Sequence, residues 1–350
     1  MRVLVTGSAG LIGSEAVTFF DGLGFGVDGI DNNTRADFFG PRGDTTWNRQ
    51  RLEADCANYT HIDADIRDRA GIDAVMAKGA YELVVHAAAQ PSHDLAASRP
   101  FDDFDTNAVG TLNLLEACRR HSPDAAFAFM STNKVYGDNP NRLPLVELDS
   151  RYDYADDADA EGVDETMSIE GCTHSLFGVS KLAADVLTQE YGRYFGMRTA
   201  VFRGGCLTGP HHAGVELHGF LSYIVAQAMT GGDYTIFGYK GKQVRDQIHS
   251  ADVISALWAF AQDPRPGEVY NLGGGRAQAA SLLELVDMVE ARSGRRPTLT
   301  YSEVNRVGDH ICYYTDMAKF RAHYPDWNPT HPLDRIVDEM VATMAAKLAT

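Results

Sequence analysis

Positive charge is scarce in this sequence: 31 Lys and Arg stand against 48 Asp and Glu, a formal net charge of −17 over 350 residues. No block of Lys or Arg is present to neutralise a run of phosphates, which argues against sequence-independent nucleic-acid binding. Any anionic ligand must be held by a few placed donors. Cysteine is rare too. The five (Cys56, Cys118, Cys172, Cys206, Cys312) are scattered, odd in number and without C-x-x-C spacing. Neither a disulfide framework nor a structural zinc is expected, and a reduced, cytoplasmic protein is. Long apolar runs are missing as well. No stretch approaches the roughly 20 residues of a membrane-spanning helix, and Met1 leads straight into a strand pattern. No membrane partner is expected.

What is present suffices for a large core: 44% of residues are hydrophobic, and 33 are glycine. Strand-like runs alternate with helical ones. RVLVT (2–6), GVDGID (26–31), NYTHID (58–63), ELVVHAAA (82–89), AAFAFMST (125–132) and RTAVFR (198–203) read as strands. Helical spacing covers 11–23, 67–78, 104–121 and 175–195. This alternation predicts an α/β fold, a Rossmann-type doubly wound parallel sheet with a smaller C-terminal substrate-binding lobe. The dinucleotide-binding domain is expected mainly over 1–203, and the interleaved lobe mainly over 204–350. In the lobe, YTIF (234–237) and EVYNL (268–272) read as strands, and 251–262 and 281–293 as helices. The acidic stretch 142–173 reads as a long insertion, either a lid or disordered.

TGSAGLIGS follows the first strand directly and opens a helix. Gly7, Gly10 and Gly13 let the backbone turn tightly and approach a pyrophosphate, with Leu11 and Ile12 at the helix start. Asp31 ends the second strand, 18 residues past Gly13, and suits a ribose diol; Asn32 adjoins it. A carboxylate there repels a 2′-phosphate, so NAD is expected over NADP, with Arg35 nearby as a weak counter-signal. Asp65 and Ile66 are placed to meet the adenine or, equally, to start a helix before Arg67.

These residues stand together with HAAAQPS (86–92), NAVGTLNLLEA (107–117), STNKVYGD (131–138), SLFGVSK (175–181) and KQVRDQIHSADV (242–253). Over about residues 5–330 the sequence resembles the extended short-chain dehydrogenase/reductases, the nucleotide-sugar epimerases and dehydratases. STNKVYGD and the acidic Tyr-rich stretch after it are most like the CDP-tyvelose (CDP-paratose) 2-epimerases. The resemblance implies a tightly held NAD, a nucleotide-diphosphate sugar (a CDP-sugar favoured), transient oxidation of one sugar carbon, and a homodimer built on helices 101–121 and 175–195. It also implies cofactor contacts at Ala87, Ala88, Ala89, Asn107 and Lys181, Asn107 being usually structural. Substrate contacts are implied at Thr132, Asn133, Arg203, Glu216, His218 and Arg245, the last gripping the diphosphate.

One departure bears on the chemistry. Phe177 stands at the position of the family's tyrosine base, four residues before Lys181. A phenylalanine carries no proton, and losing a general base typically costs about 10²–10⁴ in rate. Thr132 can donate a hydrogen bond but is a poor base alone. Lys134 could serve if desolvated, or could be a surface ammonium or a phosphate contact. His174 has a suitable ordinary pKa, or caps a helix. Tyr136, Tyr152 and Tyr154 are further candidates, Tyr136 rather for packing, and His86 reads as structural. Arg245 either grips the diphosphate or closes a salt bridge; Arg203 either reaches the same anion or holds a loop. His211, His212, Glu216 and His218 do not form a recognised ligand pattern, and no metal is expected. The leading expectation is C2 epimerisation of a CDP-sugar. A dehydratase or 4-epimerase using Lys134 with Glu165, or a non-catalytic binder, are the alternatives.

Overall fold

The computed structural model describes residues 1–212, 214, 219–304 and 308–349. Glu216 and His218 lie outside the described residues. The chain forms two units. The first comprises Met1–Val135, Leu176–Arg203 and Val253–Tyr270; the second comprises Tyr136–Ser175, Gly204–Asp252 and Asn271–Thr350.

The first unit is built on Arg2–Thr6 (β1), whose Val3, Leu4 and Val5 expose no surface. A strand buried on both faces demands parallel neighbours and helices on each side. Those neighbours are Gly26–Ile30 (β2), Tyr59–Ile62 (β3), Leu83–His86 (β4) and Ala126–Thr132 (β5). Val3 pairs in parallel with Val27 of β2 and with Leu83 of β4. The seven-stranded sheet runs Glu268–Leu272, Arg198–Gly204, β5, β4, β1, β2, β3, so chain order reverses at β1. Ligands of such sheets bind at the carboxyl ends of strands beside that reversal.

Between β1 and β4 lie the helices Leu11–Gly22 (α1), Thr34–Phe39 (α2), Thr46–Asp55 (α3) and Arg69–Lys78 (α4). A longer helical stretch runs from Pro100 to His121 and widens to a π-turn at Asp105–Val109, where the Gly110 N–H reaches back to Asp105 O. The long helix Ser175–Phe195 follows the acidic segment. Leu4, Ile72, Leu114, Phe127, Phe129 and Val201 form one buried cluster. Each such side chain contributes about 1.5–3 kcal/mol by leaving water.

In the second unit, Val244–His249 is the central strand of a small sheet, pairing with Ala279–Ser281, Cys312–Tyr313 and Cys206–Thr208. Asp233–Phe237 pairs in parallel with Thr298–Ser302. Leu221, Ile224, Leu285, Val289 and Ile336 pack as its core. The helix Leu282–Ser293 begins with a capping box, in which Ser281 Oγ accepts from Glu284 N and Glu284 Oε2 accepts from Ser281 N.

Three local expectations change. EVYNL (268–272) is the edge strand of the main sheet, where its apolar run Val269, Tyr270 and Leu272 is buried. The acidic stretch is ordered. Leu145–Glu147 and Tyr152–Tyr154 pair antiparallel, and Tyr154 is buried with its hydroxyl on Cys312 O at 3.1 Å. The segment 34–55, given no element by the sequence, carries α2 and α3. Among the described residues, no helix is long and apolar enough to cross a membrane.

Candidate active site

The glycine turn after β1 is as tight as its sequence requires. Gly7 adopts φ +69°, and a Cβ there would stand 2.9 Å from Ala88 Cα. A Cβ on Gly13 would come within 2.0 Å of Gly7 O, so α1 can approach β1 only with glycine at that point. At Gly10 the nearest atom to an added Cβ is Gly7 O, at 3.2 Å. Among the described residues no side chain caps α1, and its first turn holds no acid. The first amides, those of Leu11 and Ile12, are therefore available to an anion, and the helix dipole favours one. This arrangement fits a dinucleotide pyrophosphate. Ala87, Ala88 and Ala89 are half-buried after β4, and Ala88 N–H donates to Thr6 Oγ1 at 3.2 Å.

Asp31 sits at the end of β2. Its Oδ2 accepts from Ala9 N at 2.9 Å and its Oδ1 from Asn33 N at 2.8 Å, which leaves further lone pairs for a ribose diol. The nearby Arg35 guanidinium lies 4.7 Å from the Phe39 ring centre, and burial pushes its pKa down to about 10. Asp65 is held by Arg67 (Nη2 to Oδ2, 2.6 Å) and Asn32 (3.1 Å); burial opposes its charge, but the Arg67 contacts outweigh this and lower its pKa. Asp68, not Asp65, caps α4. Ile66 is buried, and a Cβ on Gly110 would stand 2.6 Å from its Cδ1.

Behind the turn runs a chain of buried hydrogen bonds. Thr111 Oγ1 donates to Asn107 O at 2.6 Å, so it must accept from His86 Nε2 at 2.9 Å. His86 Nδ1 then accepts from Thr6 Oγ1 at 2.7 Å. Burial, with the Lys181 charge adding to it, holds His86 well below its ordinary pKa, consistent with a neutral Nε2–H ring. Asn107 is committed in the same way: Oδ1 accepts from Gln90 N, and Nδ2 lies within 3.1 Å of Gln90 O, Asp103 Oδ1 and Ser180 Oγ. It is 1% exposed and committed to bonds within its unit, as suits the structural role the resemblance gives it.

Phe177 is buried, its ring 4.9 Å from that of His93. His93 went unnoticed in the sequence, though it directly follows HAAAQPS. Lys181, one turn on, is 4% exposed; its Nζ donates to Met130 O at 2.7 Å and lies 4.2 Å from the Phe129 ring centre. Burial drives its pKa down to about 7, against the opposing pull of Asp185 and Asp103. An amine so placed can hold or release a proton near neutral pH. At the end of β5, Thr132 Oγ1 accepts from Lys134 N at 3.2 Å; Asn133 is buried and Lys134 half-buried.

Arg203 departs from expectation. Its Nε and Nη2 each reach Asp185 at 3.0 Å, and Ser131 Oγ donates to the same carboxylate at 2.7 Å. With Arg203 4% exposed and Asp185 fully buried, this is an internal ion pair closed to ligands, not a substrate contact.

In the second unit, Arg245 is buried but not paired with the neighbouring Asp246. Its Nη2 donates to Asp309 Oδ1 at 2.6 Å and to His310 O, and its Nη1 donates to Val244 O at 2.6 Å. Burial works against the guanidinium charge, yet Asp309 outweighs it and raises the pKa. These bonds use three of the five N–H groups of an arginine. Asp246 instead accepts from Gly275 N and Thr315 N, and burial lifts its pKa. Tyr136 is fully buried with its hydroxyl on Asn271 Oδ1 at 2.7 Å, the packing role expected of it. Tyr152 reaches Glu147 at 3.4 Å, and the His174 ring lies 3.5 Å from Cys172 Sγ.

Among the described residues, His249, His331 and Glu339 bring possible metal-ligand atoms within 4.8 Å of one another. The tautomer argues against their use. His249 Nδ1 accepts the Ala251 N–H at 3.0 Å, so the hydrogen sits on Nε2, the atom 3.2 Å from Glu339. That nitrogen then has no lone pair to offer.

The chain is similar to known proteins over nearly its whole length. The chain is 30% identical over 336 residues to a CDP-paratose 2-epimerase of Salmonella typhi, covering 94% of this chain and 95% of that protein. It is 27% identical to dTDP-glucose 4,6-dehydratase 1 of Escherichia coli, over 91% of this chain and 86% of that one. A UDP-glucuronic acid 4-epimerase from Bacillus cereus, solved with UDP-glucuronic acid and NAD, superposes with a TM-score of 0.78 at 25% identity, covering 99% of this chain and 100% of that chain. Residues 3–273 match the NAD dependent epimerase/dehydratase family. A strand–glycine turn–helix with a ribose acid at its side and a buried lysine behind it is thus the cofactor half of an enzyme that uses NAD, and the chain belongs to the NAD dependent epimerase/dehydratase family.

Proposed function

We propose that the protein is a nucleotide-sugar epimerase acting at C2 of a CDP-sugar, by transient oxidation to a keto-sugar and re-reduction from the opposite face. The observation that carries this reading is Lys181: a buried amine with a pKa near 7, one turn after a phenylalanine that cannot titrate. NAD, when bound, supplies the reversible hydride acceptor. The protein does the rest. Thr132 hydrogen-bonds the reacting sugar oxygen, and Lys181 takes the hydroxyl proton and later returns it. Lys134 is the alternative proton carrier. Arg245 grips the diphosphate with the N–H groups left over from Asp309. The C2 position and the cytidine base are supported by the 30% identity to a CDP-paratose 2-epimerase across nearly the full length of both chains.

The protein should act as a homodimer in the cytoplasm. Phe101 (83% exposed) and Tyr194 (79%), with Phe104, Val179 and Phe195, leave apolar surface on the helical stretch 100–121 and on Ser175–Phe195. Such surface suits burial against a second copy. None of the five cysteines is in a disulfide, which suits a reducing compartment.

One observation favours a second reading, a dehydratase. Burial holds the Glu165 carboxyl above its usual range, as an acid assisting elimination needs, although its Oε1 accepts from Asn271 N at 2.6 Å. The test separates the two. A CDP-sugar carrying deuterium at C2 should return the C2 epimer with the label retained. A product lighter by one water would establish the dehydratase, and label washed out to solvent would reject hydride return.

A further inference from the structure

The segment between β2 and β3 closes a circuit of hydrogen bonds on the glycine turn. Ala9, inside the turn, is held on both sides of its backbone: its N–H donates to Asp31 Oδ2 at 2.9 Å, and its carbonyl accepts from Asn48 Nδ2 at 2.8 Å. The other oxygen of Asp31 takes the Asn33 N–H at 2.8 Å. Asn33 then commits its whole side chain to the start of α3. Its Oδ1 accepts from Thr45 N (3.0 Å) and Thr45 Oγ1 (3.1 Å), and its Nδ2 donates to Asp44 Oδ1 (2.8 Å) and Thr46 Oγ1 (3.2 Å). Helix α3 carries Asn48 back to Ala9, and the ring is complete. Asn48 and Thr45 are buried, so water does not compete for their bonds. Asn33 itself sits at φ 54°, ψ 26°, a left-handed conformation that asparagine tolerates better than most residues.

We propose that Asn33 is a positioning residue for the cofactor. By tying residues 44–48 to Asp31 it turns segment 34–55 into a strap that holds the glycine turn and the ribose acid in their NAD-binding geometry. The strength of that tie sets how long NAD stays bound. Two physical effects act together. A turn already ordered gives up less freedom when the dinucleotide arrives. A turn locked by a closed circuit must also break several buried bonds before it can open and let the dinucleotide go. The proposal rests on the use of NAD and on no particular sugar.

The test follows cofactor release, not turnover. Holoenzyme loaded with NADH is diluted into excess NAD, and loss of the nicotinamide fluorescence gives the dissociation rate. Asn33→Gly keeps the left-handed backbone and removes the clamp; release should quicken by about tenfold or more, the equivalent of one or two lost hydrogen bonds. Asn33→Asp can still accept from Thr45 but sets a carboxylate against Asp44. Its release should exceed the wild-type rate by more at about pH 8 than at about pH 5, where carboxylates begin to take up protons. Thr46→Val removes the acceptor of the Asn33 amide together with the Thr46 hydroxyl's own bond to Asp44, and should quicken release a few-fold. Combined with Asn33→Gly its effect should be clearly less than additive, because the bond it takes from Asn33 is already gone. Glu53→Gln, on the exposed side of α3, should release NADH at the wild-type rate. The proposal is overturned if Asn33→Gly and Thr46→Val release NADH like the wild type, or if their effects add in the double variant. Should Asn33→Gly fail to fold, Thr46→Val and the pH dependence of Asn33→Asp decide alone.

Discussion

Lys181 in the first unit and Arg245 in the second are both buried cations, and they are held in opposite ways. Lys181 donates to a main-chain carbonyl, and burial brings its pKa down to about 7. Arg245 makes a direct contact with Asp309 and two more with carbonyls, and its pKa is raised despite its burial. The difference follows from the side chains as well as their neighbours. An ammonium is a compact, strongly hydrated charge that loses its proton when desolvated, whereas a guanidinium is delocalised and stays charged. The first unit thus holds a cation able to exchange a proton, and the second a cation able only to attract. The proposed proton transfer calls for the former, and the proposed grip on a diphosphate for the latter.

Breaking the first half of that contrast should give the largest effect. Lys181→Met should lower kcat by at least about a hundredfold. It should also stabilise the fold. The unfolded chain takes up a proton near pH 10.5 and the folded chain only near 7, so folding loses stability as pH falls through that window and does not regain it below. Removing the amine removes this penalty, although Met130 O then loses its donor. The Tm of the cofactor-free variant at neutral pH should rise by about 2–4 °C, as scanning calorimetry would show. Arg245→Lys should do the reverse, raising KM for the nucleotide sugar about 10–100-fold with kcat nearly unchanged, since a point charge cannot make bidentate contacts. Steady-state kinetics on the two variants should therefore separate proton handling from binding. If both changed kcat alone, the contrast would collapse.

Phe177→Tyr sharpens it further. A phenol beside Lys181 should add a second proton carrier and raise turnover by about tenfold or more. In the wild type, kcat/KM should fall below about pH 7 as Lys181 protonates; in the variant a pH–rate profile should show that limb displaced. An unchanged profile would show that the proton passes elsewhere. The smallest effect belongs to the second unit's scaffold. Ser281→Ala should cost about 1 kcal/mol of stability by removing a helix cap, with kcat and KM both unaltered.

The cofactor half was legible because its constraints are local. A glycine with positive φ, a glycine where α1 meets Gly7 O, and an acid at the end of the next strand all leave marks within about thirty residues. Features sustained by distant partners were not. Nothing in DYADDADAEGVDE announces that Tyr154 finds Cys312 O or that Val163 pairs with Thr315, so the sequence could not tell an ordered segment from a disordered insertion. Arg203 read as an anion contact because its partner Asp185 lies on another element. The short helices α2 and α3 escaped for different reasons: α2, TRADFF, is too short to show a period, and α3 is polar without an apolar stripe, its start tied instead by hydrogen bonds to Asn33.

The widened turn at Asp105–Val109 sets the phase of the helical stretch around it. Before it Phe101 and Phe104 face outward; within and after it Asn107, Thr111, Leu114, Leu115 and Cys118 face inward. One residue corresponds to about 100° of rotation along a helix. Deleting a single residue from 105–109 would restore ordinary winding and swing the side chains on one side of the cut through that angle relative to the other. Leu114 and Leu115 could then face the core only by giving up the hold of Asn107 on Gln90 and Ser180. This stretch should accept many changes of side chain before it accepts one change of length.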